Sequence, residues 1–175
     1  MSHHDPFATL GLRPALDLDL QELESSYLTR SREAHPDRWS AELRGSDDAA
    51  QLAEALALSA AINDAYRALK DRWSRAGILI DRLDAGARDA TRTLSPAFLI
   101  DAMELAESVA EVDVGAAPSL RDAIAGRVEE VFRAVATALD AGDARAAAIA
   151  LHQSQYFRKA LADLDARILA SGESA

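Results

Sequence analysis

From about Asp47 to Lys70 the chain places Leu52, Leu56, Ser59, Ile62, Tyr66 and Leu69 at mixed three- and four-residue steps within an Ala-rich run. Only an α-helix gathers such a series on one face. Aromatic residues make up 5% of the 175 residues, so a core must be built from thin aliphatic side chains between closely spaced helices rather than from large rings. The fold class expected is therefore all-α.

The helix boundaries follow from local chemistry. Asp5-Pro6 supplies an N-cap and a Pro at the first helical position, and Gly11 closes a short first helix. Asp19 opens a second helix with Glu22 three residues on, in the manner of a capping box, and Leu20, Leu23, Tyr27 and Ala34 lie near one stripe. Arg30 falls where that stripe would take an apolar residue; its stem can cover the core while the guanidinium reaches water. Pro36 disfavours helical geometry at His35, so the second helix ends just before His35-Pro36-Asp37. The third helix, described above, packs on the second, and a fourth from about Arg72 to Leu83 carries Trp73, Ala76, Leu79 and Ile80.

Residues 85–94 are polar without an apolar period and read as a linker containing Gly86. Ser95-Pro96 then starts three more helices, at about 96–112, 119–140 and 143–170, with Ser119 and Asp143 as caps. Short connections at Gly115 to Pro118 and at Ala141-Gly142 imply an antiparallel three-helix bundle. The division expected is a first unit over 1–84, a linker over 85–94 and a second unit over 95–175.

Charge and missing residues close several functions. Acidic residues number 29 against 19 basic, a formal charge of −10, which disfavours nucleic-acid binding because phosphate contact needs clustered Lys and Arg. No apolar run approaches the ~18 residues of a membrane span, and no secretory signal pattern opens the chain, so a cytoplasmic location without membrane attachment is expected. Without cysteine there is no thiolate for zinc or a cluster, no disulfide and no thiol nucleophile. The histidines at 3, 4, 35 and 152 are too scattered to mark a metal site, and His152 reads as a helix-surface residue. No grouping of His, Ser and acidic residues suggests an enzyme. No cofactor and no metal are expected.

The run Tyr27-Leu-Thr-Arg-Ser-Arg-Glu-Ala-His35-Pro36-Asp37-Arg38 puts a His-Pro-Asp turn after an amphipathic helix. Asp5-Pro-Phe-Ala-Thr-Leu-Gly-Leu12 lies upstream, and Ile62-Asn-Asp-Ala65-Tyr66-Arg-Ala-Leu69 lies downstream at compatible spacing. This arrangement resembles the J domain, a four-helix module. The resemblance implies that His35, Pro36 and Asp37 dock on the nucleotide-binding domain of a DnaK-type chaperone and accelerate ATP hydrolysis there. A Pro-stiffened turn presents an imidazole and a carboxylate at low ordering cost, and neither performs covalent chemistry. Arg30, Arg32 and Arg38 are candidates for ion pairs with that partner, or else an ordinary solvated helix face. Glu22, Glu24 and Glu33 dilute the helix's positive charge.

Arg75-Ala-Gly-Ile-Leu-Ile80 and Pro96-Ala-Phe98-Leu99-Ile100-Asp-Ala-Met103-Glu104-Leu105-Ala-Glu107 are similar to the HscB family. There a J domain precedes a three-helix bundle that binds the scaffold protein on which iron–sulfur clusters are built. The resemblance implies a co-chaperone that stimulates a DnaK/HscA-type ATPase and delivers that scaffold protein to it. It further implies Leu99, Ile100, Met103, Glu104 and Glu107 as client contacts, an apolar patch edged by carboxylates. Some of these side chains could instead fill the bundle, since Phe98, Met103, Leu105 and Val109 cannot all face outward. Tyr156-Phe157-Arg158-Lys159 reads as core plus solvated face. Two other functions stay open: a J-domain co-chaperone for different clients, and a scaffold that does not stimulate an ATPase. Relatives with a cysteine-rich amino-terminal module hold zinc; this chain has no such module, so no structural zinc is expected.

Overall fold

Asp5 begins the first element, α1 (Pro6–Leu10), by accepting the Phe7 amide on its carboxylate at 3.1 Å, and Gly11 ends it in the left-handed region at φ 69°. The computed structural model describes residues 5–34 and 48–172, and among these there are eight helices and no strand. After α1 come α2 (Leu20–Glu33), α3 (Asp48–Lys70), α4 (Arg72–Leu83), α5 (Ala87–Ala90), α6 (Pro96–Glu111), α7 (Ala117–Asp140) and α8 (Ala144–Gly172).

The chain divides into two units, residues 1–75 and 76–175. The division falls inside α4 rather than in the Gly86 segment, and Arg75, the last residue of the first unit, is tied to that unit. Its side chain is only 6% exposed; Nε donates to the Leu16 carbonyl at 2.8 Å, and a second guanidinium nitrogen donates to the Leu69 carbonyl at the end of α3. Burial lowers its pKa from the ordinary arginine value, opposed by Asp71 and Asp17, and the guanidinium keeps its charge. Arg75 thus brings the loop before α2 to the last turn of α3, so α2 and α3 run antiparallel.

In the first unit α1 and α2 both pack on α3. Phe7, Leu10, Leu23, Ile62 and Leu69 are fully buried. Tyr27 stacks on Tyr66 at 4.3 Å between centroids and donates its hydroxyl to Asn63 Oδ1 at 2.8 Å. Leu20, Leu52 and Leu56 are exposed instead of sharing this core, and Ala55 and Ala65 take the inner positions. Tyr27 faces Asn63 and Tyr66, so the fourteen residues of α2 are used up before α3 reaches back to Leu52. Leu69→Ala leaves a cavity at a site with 0% exposure and should cost about 2 to 5 kcal/mol. Urea denaturation followed by the near-ultraviolet signal of Tyr27 and Tyr66 checks it, and an unchanged midpoint would refute this packing.

In the second unit α6 and α8 run parallel with α7 antiparallel to both. Arg121 near the start of α7 pairs with Asp165 near the end of α8 at 2.6 Å, and Arg167 of α8 donates to the Val112 carbonyl, the C-cap of α6, at 3.4 Å. Val109, Ala117, Ile124, Ala160 and Leu164 form the core, with Leu105, Leu120 and Ile168 against it. Ser95 caps α6 through the Phe98 amide, and Asp143 caps α8 through the Ala146 amide. Ser119 does not cap α7. The Asp113 carbonyl already accepts from the amides of Ala116 and Ala117, so the helix starts two residues earlier, with Pro118 inside its first turn where no intrahelical donor is needed.

Residues 85–94 are not a bare linker. They contain α5, which packs on α8, and they bury Ala87, Thr91 and Leu94. Four helical residues are too few for a period to show in sequence. His152 is correspondingly not a free surface residue: half-buried on α8, it donates Nε2–H to the Arg88 carbonyl at 2.8 Å. Arg88 also clasps Asp81 of α4 with two parallel bonds, Nε reaching Oδ1 at 2.7 Å, and this pairing raises its pKa against the opposing effect of burial. Gly77 makes room for it, since a Cβ there would come within 3.3 Å of Arg88 Nη1 and 3.6 Å of Leu151 Cδ2.

Candidate protein-binding surfaces

The last turn of α2 leads to the first surface. Ala34, its C-cap, is buried and its amide donates to the Arg30 carbonyl at 3.0 Å, so the chain leaves this helix from a fixed anchor. Arg30 is exposed but committed inward. Its guanidinium crosses the end of α1, where a Cβ on Gly11 would stand 2.9 Å from Nη2, and it lies 3.5 Å from Glu33 Oε2. Gly11 therefore meets two demands at once, a positive φ and the close approach of Arg30. Arg32 is exposed on the same turn. His35, Pro36, Asp37 and Arg38 lie outside the described residues.

The second surface is a groove between α6 and α8. Successive residues of a helix turn by about 100°, so Leu99, Met103, Ile100 and Glu107 occupy one sector of α6, with Glu104 at its edge. Phe98 and Leu105 are on the opposite side. The burial pattern agrees: Val109 is buried, Phe98 and Leu105 are half-buried, Ile100 is 56% exposed and Met103 is 65% exposed. Leu99 and Met103 line the groove with Ala102 and Ala106, facing Tyr156 and Lys159 of α8. Ile100, Glu104 and Glu107 stand on its outer shoulder and do not line it. Lys159 pairs with Asp163 at 2.7 Å on the far rim.

Tyr156 is the residue that sequence reasoning missed. It meets Phe98 edge-on at 5.5 Å between centroids, while Phe157 meets the same ring at 5.8 Å from the inner side. Phe98 thus holds the Tyr156 ring at the groove wall with its surface partly open. The signal was the parallel register of α6 and α8, which periodicity within α8 alone does not contain.

The groove is built from contact-forming side chains. Among the described residues no cluster of His, Asp and Glu could hold a metal ion, no buried side-chain polar atom lacks a partner, and no helix is long and apolar enough to cross a membrane. What it offers is contact area: an apolar floor with aromatic and thioether side chains, edged by carboxylates.

Residues 94–165 match a family model described as the HSCB C-terminal oligomerisation domain. The "Co-chaperone protein HscB homolog" of Neisseria meningitidis serogroup C is 30% identical over 87% of this chain and 92% of its own length. The protein of the same name from Paraburkholderia phymatum is 32% identical over 93% of each chain. The chain belongs to the HscB co-chaperone family. Two solved HscB structures share the fold, each at 23% identity. Chaperone HscB from Vibrio cholerae has a TM-score of 0.74 over 96% of this chain and 99% of its own. Human co-chaperone protein HscB has a TM-score of 0.79 over 95% of this chain and 83% of its own. The family match thus spans both units, a J domain followed by a helical bundle, and the groove on α6 lies within the segment that the family model matches.

Proposed function

We propose that this HscB family member is a non-catalytic cytoplasmic adaptor with two partners. The J domain docks through His35, Pro36 and Asp37, helped by Arg32 and Arg38, on the nucleotide-binding domain of a DnaK/HscA-type chaperone and speeds ATP hydrolysis there. The bundle holds the iron–sulfur scaffold protein in the α6/α8 groove and brings it to that chaperone. The observation that carries the reading is the exposure of Met103, Ile100 and Tyr156 beside half-buried Leu99, on a helix whose other face already fills the core. What sets these side chains apart from other exposed apolar residues is that they adjoin an apolar groove, the pattern of a contact surface. Arg30 lies against Gly11 and Glu33 with its side chain still 46% exposed, and it joins Arg32 and Arg38 as a candidate ion-pair partner for the chaperone.

Single-turnover ATP hydrolysis by the cognate chaperone tests the first half, and calorimetric titration with the scaffold protein tests the second. Stimulation and saturable one-to-one binding are the expected results. Absence of stimulation would leave only a passive scaffold, while stimulation without scaffold binding would point to other clients.

A further inference from the structure

The chain has no cysteine and two methionines, Met1 and Met103, so Met103 is the only sulfur beyond the first residue. Its side chain is the most exposed of the large apolar groups on α6 and stands in the groove beside Leu99 and Tyr156. We infer that Met103 is a reversible oxidation site, and that its conversion to the sulfoxide releases the scaffold protein from the groove. The second part rests on the proposed client role of this surface.

The chemistry needs a hydroperoxide and no other co-reactant. A sulfur lone pair attacks one oxygen of hydrogen peroxide, the S–O bond forms as the O–O bond breaks, and the departing hydroxide takes the proton of the new sulfur-bound OH, leaving the sulfoxide and water. Sulfur loses two electrons and the peroxide gains them. A thiol-dependent methionine sulfoxide reductase reverses the change. Exposure decides access, and a methionine that is 65% exposed is open to peroxide, whereas a core methionine is shielded by its neighbours. Placement decides consequence. Of the residues lining the groove, Tyr156 and Lys159 carry side-chain donors, and Lys159 is already paired with Asp163; a sulfoxide oxygen turned toward the floor of Leu99, Ala102 and Ala106 meets neither, so closing the groove over it strips water from a strong acceptor. Met103 is not among the buried residues that form the bundle core, so the fold is retained.

Purified protein is treated with hydrogen peroxide, quenched with catalase, and only then mixed with untreated scaffold protein for calorimetry. Peptide mass spectrometry should show one added oxygen at Met103. The dissociation constant should rise at least tenfold and return after incubation with the reductase, while the circular dichroism spectrum stays constant. M103L, which retains Met1, is compared with itself before and after peroxide, and its affinity should not change on treatment. An unmodified Met103, a sulfoxide that leaves affinity where it was, or a peroxide effect that persists in M103L would overturn the proposal. Failure of the client role is seen separately in untreated protein, as full scaffold affinity in a variant with the groove residues truncated.

Discussion

Asp37→Asn is expected to reduce the stimulated ATPase rate of the partner chaperone to its basal value while leaving the helical content of the J domain intact. The substitution changes almost no volume and removes one negative charge. Among the described residues the fully buried large side chains of the first unit are Phe7, Leu10, Leu23, Ile62 and Leu69, and α2 ends at Ala34, before the His-Pro-Asp segment of the sequence. Folding is expected to lose little at this position. Docking as proposed is expected to lose a great deal, because a carboxylate that pairs with donors on a partner contributes a charge-assisted bond, and the amide that replaces it puts a second donor against them. Single-turnover hydrolysis measured beside far-ultraviolet circular dichroism checks both halves. Full stimulation by the variant would remove Asp37 from the mechanism. Loss of helicity would show that the turn supports the fold.

The helix starts were legible because they are written in neighbouring residues. Asp5-Pro6, Ser95-Pro96 and Asp143 each satisfy amides within three positions of themselves, and the structure places all three as expected. The same locality explains the end of α2 and the positive φ of Gly11. What escaped depends on residues far apart in the chain. Arg75 reaches back to Leu16, and His152 reaches back to Arg88; neither partnership leaves a periodic trace. A buried arginine in particular looks like a surface residue until the two carbonyls that solvate it are known. Periodicity also overstated the core of α3, because it marks a face without saying how much of that face a shorter neighbour covers. On α6 the ambiguity was of another kind. More apolar residues were present than one stripe can bury, and the sequence alone left open which of them pointed out. The bundle resolves it: Phe98 and Val109 turn inward, while Ile100 and Met103 remain in water.

That partition makes the triple substitution Leu99→Ala, Ile100→Ala, Met103→Ala a clean probe of the bundle. All three residues are replaced by the best helix former, so α6 should persist. The core of Val109, Ile124, Ala160 and Leu164 is untouched. Ile100 and Met103 lose side chains that were mostly solvated, and only the half-buried Leu99 removes intramolecular contact, so the stability cost should be small beside that of Leu69→Ala. Binding has no such insulation. Central apolar contacts in an interface can each cost more than 1 kcal/mol when truncated, and about 1.4 kcal/mol already amounts to a factor of ten. Scaffold affinity should therefore fall at least tenfold. Most of the loss should be reproduced by Leu99→Ala and Met103→Ala together, because these two line the groove floor with Tyr156 whereas Ile100 sits on its shoulder. Stimulation of the chaperone without client should be unchanged, since every substituted position lies in the second unit. Calorimetry with the scaffold protein and a client-free ATPase assay, run on the same preparation, separate the outcomes. Unchanged affinity would show that the groove is not the client site, and joint loss of both activities with loss of helicity would show that these residues hold the bundle together.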